Sequence, residues 1–355
     1  MRLPKKDNTT DIEQVKQMVD MFMSAGFTYF DTAYVYGTSE VDTKAALVDR
    51  YPRDSYTLAT KINPMAVNSE EETKQEFYTS LERTGAGYFD FYLLHALQTN
   101  NVDLYEKYHI WDFVKEQKAK GLIRHIGFSF HDGPALLDKL LTEHPEVEFV
   151  QLQINYADWE NPDIVSRANY EVARKHGVSI VIMEPVKGGN LANPPKEVQT
   201  LLKTHHPDMS VASWAIRFAA SLDGVITVLS GMSNVEQMQD NLSYMSNFLP
   251  LNAEEQTIIQ QAQRILGNSS TIPCTACHYC TKGCPKQISI PEIFHAANKQ
   301  LGNGQMDEAI GDYRKIATVG HLASDCVSCK QCEHVCPQHI SIVNNLKLCV
   351  EMLEK

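Results

Sequence analysis

The placement of the nine cysteines constrains this chain more than any other feature of its sequence. None occurs in residues 1–273, and all nine lie in the last quarter of the chain. Eight of them form two copies of the pattern C-x2-C-x2-C-x3-C-P, and the second copy begins 52 residues after the first. The eight are Cys274, Cys277, Cys280, Cys284, Cys326, Cys329, Cys332 and Cys336. The repeat indicates a duplicated unit, and the change in composition predicts two domains, residues 1–267 and 268–355.

The spacing within each copy suits a 4Fe-4S cluster. Three cysteines at three-residue intervals wrap a tight loop around one face of a cubane, while the fourth, before a proline, departs from it. Structural zinc is the alternative, because four-cysteine zinc modules also use C-x2-C knuckles. A zinc knuckle gives no reason for the third cysteine or for the fourth before proline, so we interpret the eight as ligands of two 4Fe-4S clusters. Cys349 has no counterpart in the repeat and is interpreted as a small buried apolar residue.

The motif resembles that of two-cluster ferredoxins, in which the fourth cysteine of each run binds the other cluster. The resemblance implies a crossed ligand set. Cluster one would take Cys274, Cys277, Cys280 and Cys336, and cluster two would take Cys326, Cys329, Cys332 and Cys284. Between the copies, residues 291–318 are predicted to be helical with a break at residues 302–304. We therefore expect a mostly helical ferredoxin-like domain.

The first domain alternates strand-like runs with amphipathic helical patterns, which is typical of βα units and a parallel sheet. The predicted strands are residues 28–33, 57–62, 88–95, 123–130, 149–155, 179–185 and 224–231. Seven strands are one short of a (β/α)8 TIM barrel. The missing strand is expected to be the first, truncated so that residues 1–4 hold only its last part and leave an unpaired edge.

The first helix of this domain carries its own signals. Thr10 and Glu13 form a predicted capping box at its start, and Gly26 is expected to close it.

Four polar residues stand at or just beyond the ends of successive predicted strands: Asp31, Tyr36, Lys61 and His95. Parallel strands of a barrel end at one rim, so these side chains are expected to converge. Each of them alone has an ordinary explanation, such as a helix cap, a solvated amine or a packed rim residue. Their joint occurrence in this order is the stronger signal.

Together the four resemble the catalytic tetrad of aldo-keto reductases, with Tyr36 in the run FDTAYVYG of residues 30–37. The resemblance implies that Tyr36 protonates a carbonyl oxygen as hydride reaches the carbon, and that His95 orients the carbonyl. Lys61 would lower the pKa of the tyrosine, and Asp31 would hold Lys61. The physical chemistry agrees. A phenol with a pKa near 10 donates its proton poorly at neutral pH until a nearby cation stabilises the phenolate. A cation buried away from water in turn needs a carboxylate to balance its charge. Tyr34 stands at the wrong offset from Asp31.

The same resemblance implies a nicotinamide site. Ser129 and Gln153 match positions that hold the carboxamide, and Met183 stands where an aromatic ring usually stacks. Residues 183–189 match the pyrophosphate loop, with Pro185, Lys187 and Gly188.

The segment after the last strand resembles the family's adenosine-phosphate region, with Ser230, Gly231, Ser233, Gln237 and Asn241. The basic residues with which the family grips a 2'-phosphate fall on Gly231 and Gln237. The sequence therefore favours NADH slightly over NADPH.

Two functions follow from these observations, besides a third possibility that the clusters only fasten the C-terminal segment to the barrel. The first is an NAD(P)-dependent oxidoreductase that interconverts a small carbonyl and alcohol, with an attached iron-sulfur electron-transfer domain. The alternative is an electron-transfer or docking protein whose ferredoxin domain is active and whose barrel is a degenerate scaffold. Hydride carries two electrons and a 4Fe-4S cluster moves one, so direct coupling calls for a flavin. The sequence contains no motif that we can assign to flavin, and a flavin cofactor stays open.

Charge and hydropathy limit the partners. A formal net charge of -12 argues against nucleic acid and anionic membrane surfaces, which attract clustered Lys and Arg. No run approaches the ~20 apolar residues of a membrane span, and the N-terminus lacks the apolar core of a signal peptide. We expect a cytoplasmic protein with a small-molecule substrate and a redox partner protein.

Overall fold

The computed structural model describes residues 2–268, 270–318 and 321–354. These residues divide into two compact units. The first comprises the chain up to Glu160, Val165–Pro185 and Ile216–Leu251. The second comprises Asn161–Ile164, Val186–Ala215 and the chain from Asn252 onward. The second unit thus takes in chain on both sides of residue 268, the boundary that the composition predicts.

The first unit is built on a parallel sheet. A short antiparallel hairpin, formed by β1 (Lys5–Lys6) and β2 (Thr9–Thr10), precedes this sheet in the chain. The parallel strands are β3 (Tyr29–Asp31), β4 (Thr57–Ile62), β5 (Phe89–Leu97), β6 (Ile123–Phe130), β7 (Phe149–Gln153), β8 (Ser179–Met183) and β9 (Val225–Val228). They are hydrogen bonded in sequence order from β3 to β9. The seven predicted strands are confirmed, and no eighth parallel strand occurs in the described part of the chain.

Side chains from both ends of the sheet meet inside it. Ala59, Leu93, Phe149 and Val181 form one buried cluster, which Tyr29, Phe91 and Leu229 join. Because Tyr29 lies on the first parallel strand and Leu229 follows the last, the sheet curves back on itself. The result is a near-closed barrel, as the βα pattern predicts.

Apolar residues such as Val15, Phe77 and Leu137, on helices of the first unit, pack with the strands in a second, larger core. Helices alternate with the strands along the chain. They are α1 (Ile12–Ser24), α2 (Ser39–Thr43), a π-helical turn (Lys44–Val48), α3 (Glu70–Thr84), α4 (Val102–Lys107), α5 (Ile110–Ala119), α6 (Pro134–Glu143), α7 (Ser166–Lys175), α8 (Lys196–His205), α9 (Val211–Ala220), α10 (Val235–Met245) and α11 (Ala253–Gly267). No helix in the described ranges is both long and apolar enough to cross a bilayer.

The start of α1 differs from the prediction. Its N-cap is Asp11, whose carboxylate accepts a hydrogen bond from the Gln14 amide at 3.2 Å. The capping box predicted at Thr10 is wrong, because the Thr10 hydroxyl donates instead to Asp42 Oδ2 at 2.7 Å. The end of the helix is as expected, since Gly26 follows it at a φ of 85°.

The cysteine-bearing part of the second unit is helical. Its helices are α12 (Tyr279–Lys282), α13 (Ile290–Asn303), α14 (Met306–Thr318), α15 (Gln331–His334) and α16 (Ile342–Leu353). The predicted spacer helix and its break are confirmed, because α13 ends at Gly304, which has a φ of 70°. Each of α15 and α16 begins 52 residues after its counterpart, α12 or α13.

The backbone repeats as closely as the sequence does. Three pairs of residues, each 52 positions apart, share a left-handed φ: Ala276 (51°) with Ser328 (57°), His278 (63°) with Lys330 (60°), and Gln287 (49°) with His339 (50°). Non-glycine residues seldom adopt this conformation. Its recurrence at matched positions shows that the two copies fold in the same way.

Gly127 on β6 provides a test of the barrel interior. A Cβ there would lie 2.4 Å from the Phe149 carbonyl oxygen and 2.5 Å from its ring. We expect Gly127→Ala to lower the free energy of unfolding by about 2 kcal/mol or more, because neither backbone nor ring can move freely in a packed core. Gly133→Ala is the control, since nothing lies within 4 Å of its Cβ position. Urea denaturation of both variants measures the difference, and equal midpoints would contradict this packing.

Candidate functional site

The Lys61 side chain is fully buried at the end of β4. Its ammonium donates to Asp31 Oδ1 at 2.6 Å and to the Thr32 carbonyl oxygen at 2.7 Å. Asp31 ends β3, and β3 pairs with β4 in parallel register. The register therefore brings the carboxylate and the ammonium together, as the strand-end argument predicts.

Tyr36 and His95 complete the group. Lys61 Nζ lies 5.3 Å from the centroid of the Tyr36 ring, and the Tyr36 and His95 rings meet edge to face with centroids 5.5 Å apart. Tyr36 is half-buried, whereas His95 is 4% exposed. The four residues predicted from strand ends are thus neighbours, and solvent reaches Tyr36 in its loop as well as part of Asp31.

Burial sets the protonation of this group. It lowers the pKa of Lys61, and the charge of Asp31 and its hydrogen bond oppose the shift. Burial, followed by the positive charge of Lys61, holds the pKa of His95 well below its usual range. His95 is therefore neutral at physiological pH, and its Nδ1 has no hydrogen-bond partner among the described residues.

Two buried carboxylic acids stand behind these residues, and sequence reasoning did not identify them. Glu40 Oε1 accepts from the Thr60 hydroxyl at 2.8 Å, next to Lys61 on β4. Glu76 Oε2 accepts from the Asn63 amide at 2.7 Å, and burial raises the pKa of Glu76 to about 8. Glu76 thus carries its proton at neutral pH. No motif marks either residue, because both come from helices and meet the site only after folding.

The predicted carboxamide contacts separate into two groups. Ser129 Oγ accepts from the Ala96 amide at 2.7 Å, which leaves its own proton for a ligand. Gln151 is the register partner of Ser129 on β7, and its Nε2 lies 3.4 Å from Met183 Sδ. Its Oε1 is buried without a hydrogen-bond partner among the described residues. Gln151 is therefore placed to meet a polar ligand beside Ser129.

Gln153, the residue named from the sequence, makes a different contact. Its Nε2 donates to Asp158 Oδ2 at 2.9 Å, and the side-chain nitrogen of Asn155, Nδ2, donates to the same oxygen at 2.7 Å. This buried network lies within the protein. Gln151 was missed although it stands two residues earlier on the same face of the same strand, a signal that period-2 alternation could have supplied.

The segment after β9 is internally hydrogen bonded. Asn241 Nδ2 donates to Ser230 Oγ at 2.6 Å, and the Ser233 amide donates to Gln237 Oε1 at 2.7 Å. A Cβ added to Gly231 would lie 3.4 Å from Arg2 Cδ. Arg2 thus brings a basic side chain to this segment, in which Gly231 and Gln237 stand where the resemblance would place basic residues.

Lys187 and Gly188 of the predicted pyrophosphate loop belong to the second unit, whereas Pro185 ends a segment of the first. Lys187 is 8% exposed and lies in a 3-10 turn, Lys187–Gly189. Gly188 has a φ of 66°, and a Cβ there would lie 2.5 Å from the Thr275 carbonyl oxygen. Nearby, Asn190 Nδ2 donates to the Cys274 carbonyl oxygen at 3.1 Å. This turn packs on the first cysteine loop.

The eight cysteines line two separate hollows. The first hollow has four cysteines in its wall: Cys274, Cys277, Cys280 and Cys336. The second hollow has the other four: Cys284, Cys326, Cys329 and Cys332. Each contains three cysteines of one copy and the fourth of the other, which is the crossed arrangement that the ferredoxin resemblance implies. The thiols surround a space, and no three Cys, His, Asp or Glu side chains of the described residues converge on one point as ligands of a single ion.

Burial determines the protonation of these thiols. Burial raises the pKa of Cys274 to about 11 and that of Cys280 to about 12. Burial likewise raises the pKa of Cys332 to about 11. Such thiols stay protonated until a positively charged group displaces the protons, because the thiolate is the metal-binding form. Cys349 lines neither hollow and is fully buried in α16.

Comparison with known families identifies both parts of the chain. The model described as the Aldo/keto reductase family matches residues 1–264. The chain belongs to the aldo/keto reductase family. A model described as a 4Fe-4S dicluster domain matches residues 273–341, which contain all eight cysteines of the hollows. The family and the ferredoxin-type domain predicted from the sequence are therefore confirmed.

Individual relatives agree with this family assignment. An aldo-keto reductase of Strobilurus tenacellus is 32% identical over 189 residues, which are 51% of this chain and 53% of that protein. The chain thus spans about half the length of this curated relative. A solved aldo-keto reductase of Bacillus halodurans, in its holo form, has a TM-score of 0.58 and 25% identity, over 74% of this chain and 91% of that one. A Klebsiella pneumoniae aldo/keto reductase in complex with NADP and acetate has a TM-score of 0.58 at 19% identity, over 72% and 86%, and is alike in fold.

The ion pair of this aldo/keto reductase provides a stability test. Asp31→Asn leaves the Lys61 ammonium buried with only neutral partners, so we expect the free energy of unfolding at pH 7 to fall by about 3 kcal/mol. The difference in the free energy of unfolding between the variant and the unaltered protein should shrink toward pH 10. Near that pH the lysine of the unfolded chain also begins to lose its proton, so keeping Lys61 neutral in the folded variant costs less. Glu13→Gln breaks the exposed Lys16–Glu13 pair and should cost less than about 1 kcal/mol. Chemical denaturation at several pH values measures both, and a pH-independent deficit would contradict this account.

The crossed hollows give a second test. Cys284→Ala should cost iron and EPR signal from the cluster whose other ligands are Cys326, Cys329 and Cys332, while the cluster of the first hollow persists. Cys349→Ala, a change of equal size at a buried cysteine outside both hollows, should leave the iron content unchanged. Iron and sulfide analysis with EPR of the reduced proteins decides the matter. Loss of the first-hollow signal in Cys284→Ala would exclude the crossed ligand set.

Proposed function

We propose that this chain is an NAD(P)-dependent oxidoreductase that interconverts a small carbonyl compound and its alcohol, with an attached domain that holds two 4Fe-4S clusters. The observation that carries the proposal is the fully buried Lys61 ammonium, held by Asp31 and lying 5.3 Å from the Tyr36 ring centroid. A buried cation is costly unless it is paired. Its position beside a phenol that solvent reaches is best explained by proton donation.

The residues divide the reaction among them. Nicotinamide, when bound, supplies a hydride to the carbonyl carbon. Tyr36 donates its phenolic proton to the carbonyl oxygen, and Lys61 stabilises the resulting phenolate by its charge. Asp31 keeps Lys61 protonated in a dry site. His95, neutral because of its depressed pKa, orients the carbonyl by a hydrogen bond without adding a second positive charge.

The nicotinamide carboxamide fits the pair Ser129 and Gln151. The Ser129 hydroxyl has a proton to donate, and the unpartnered Gln151 Oε1 has lone pairs to accept from the amide. We therefore assign to Gln151 the role that the sequence gave to Gln153, whose amide donates to Asp158. Met183, in contact with Gln151, would pack on the ring face.

The rest of the nucleotide follows the predicted segments. Lys187, with Pro185 and Gly188, would meet the pyrophosphate, and Ser230, Gly231, Ser233, Gln237 and Asn241 the adenosine end. Arg2 beside Gly231 supplies a positive charge there, so we propose that both NADH and NADPH are used. An aldo/keto reductase of the same fold binds NADP, which is consistent with this proposal.

Replacement of the proton donor tests the reductase. Tyr36→Phe should lower kcat/KM for NAD(P)H-dependent aldehyde reduction at least about 100-fold, because the carbonyl oxygen loses its acid. Tyr34→Phe is the matched control, since the Tyr34 ring packs on the Arg83 guanidinium, 4.6 Å from its centroid, and should keep near-normal activity. Steady-state kinetics with a panel of small aldehydes provides the measurement.

Two further readouts make this test decisive. Tyr36→Phe should still quench its intrinsic fluorescence on binding NADH or NADPH and should keep its visible cluster absorbance. If the unaltered protein with intact clusters binds neither nucleotide, the reductase is excluded and the barrel is a scaffold for an electron-transfer protein. If Tyr36→Phe stays fully active, the proton donor is another residue.

A further inference from the structure

The two hollows are built alike but differ in their exposure. Cys329 of the second hollow is exposed, whereas its counterpart Cys277 in the first is half-buried. Val327 is 56% exposed, and its counterpart Thr275 is 2% exposed. In the first copy, the turn that contains Gly188 covers Thr275. The second hollow therefore has the more exposed rim.

The two hollows also differ in charge. Lys286 and Lys330 line the second hollow. At the matching positions, 52 residues away, the first hollow has Gln338 and His278. The repeat fixes the backbone in both copies, so the two lysines are a difference in side chain alone. The second hollow thus has two lysines in its wall, one from each copy of the repeat.

These lysines are available to a partner. Both are exposed, and neither has an ion-pair or hydrogen-bond partner in the described part of the chain. Of the acidic side chains at the second copy, Glu333 accepts from the Val343 amide at 2.9 Å, and Asp325 accepts from the Leu322 amide at 2.8 Å. On a chain of net charge -12, the two exposed ammonium groups lie beside an exposed ligand cysteine.

We propose that the rim of the second hollow is the docking surface for an external one-electron carrier protein with an acidic face. The rim consists of Pro285, Lys286, Val327, Cys329 and Lys330. Two free cations steer an acidic partner, and the exposed valine and proline provide apolar contact at the centre. The proposal extends the cluster assignment made above and rests on it.

The electron balance is simple. A cluster held by Cys326, Cys329, Cys332 and Cys284 would accept one electron from the reduced carrier. The carrier would be oxidised by one electron and the cluster reduced by one, and no bond would form or break. The reverse transfer uses the same contact.

The experiment reverses the charge of the rim. Iron-loaded Lys286→Glu/Lys330→Glu protein is tested for binding to a flavodoxin, a small acidic one-electron carrier, by surface plasmon resonance, and for reduction by its photoreduced form in stopped flow. We expect the affinity and the bimolecular rate constant to fall at least about tenfold at low ionic strength. The difference should vanish at high salt, where exposed charges are screened. Lys282→Glu, a single charge reversal at an exposed lysine outside the hollow, should have little effect.

Controls separate docking from damage. Iron content and EPR confirm that both clusters are present in every variant, and Lys286→Gln/Lys330→Gln replaces the double reversal if a cluster is lost. Photoreduced 5-deazaflavin, a small reductant that needs no docking surface, should reduce all variants at similar rates. Binding that is unchanged by the double variant, or reduced equally by Lys282→Glu, would overturn the proposal. Absence of iron in the unaltered protein would instead refute the cluster assignment itself.

Discussion

The buried ammonium of Lys61 is the constraint around which the barrel end is organised. A lysine with no exposed surface must find its counter-charge and its acceptors inside the protein, and Asp31 and the Thr32 carbonyl provide them. Both come from the neighbouring strand, so the pair fixes the register of β3 against β4 at the point where the chain turns toward Tyr36. The same desolvation that makes this arrangement costly keeps His95 neutral. The burial of these side chains thus accounts both for the Lys61–Asp31 ion pair and for the neutral state of His95.

Sequence reasoning succeeded where a residue's place follows from chain order. Asp31, Lys61 and His95 lie at or near the ends of consecutive parallel strands, so chain order alone predicts that they meet. The cysteine runs carry their own spacing, and the hollows group them as the resemblance to ferredoxins implied. Sequence reasoning does not separate two residues of the same type on one face of a strand. Gln151 and Gln153 point to the same face, and only the contact with Asp158 shows that Gln153 is engaged elsewhere.

Other features lay beyond sequence reasoning for the same physical reason. The raised pKa of Glu76 depends on how α3 is buried, which no local pattern encodes. Asp11 rather than Thr10 caps α1 because a carboxylate from α2, Asp42, takes the threonine hydroxyl. The assignment of α8 and α11 to the same unit as the cysteine loops likewise depends on long-range packing. The composition of the chain changes abruptly near residue 268, whereas the second compact unit also includes segments before that position.

Gly188 has a mechanical consequence. Its left-handed backbone excludes most side chains, and the Thr275 backbone at 2.5 Å from its Cβ position leaves no room for any. The turn Lys187–Gly189 and the first cysteine loop are therefore in close backbone contact. A rigid group that fixes Cys274 and Cys277 would also fix the backbone on which Lys187 stands. Iron loading would in this way restrict the motion of a segment that contains no cysteine.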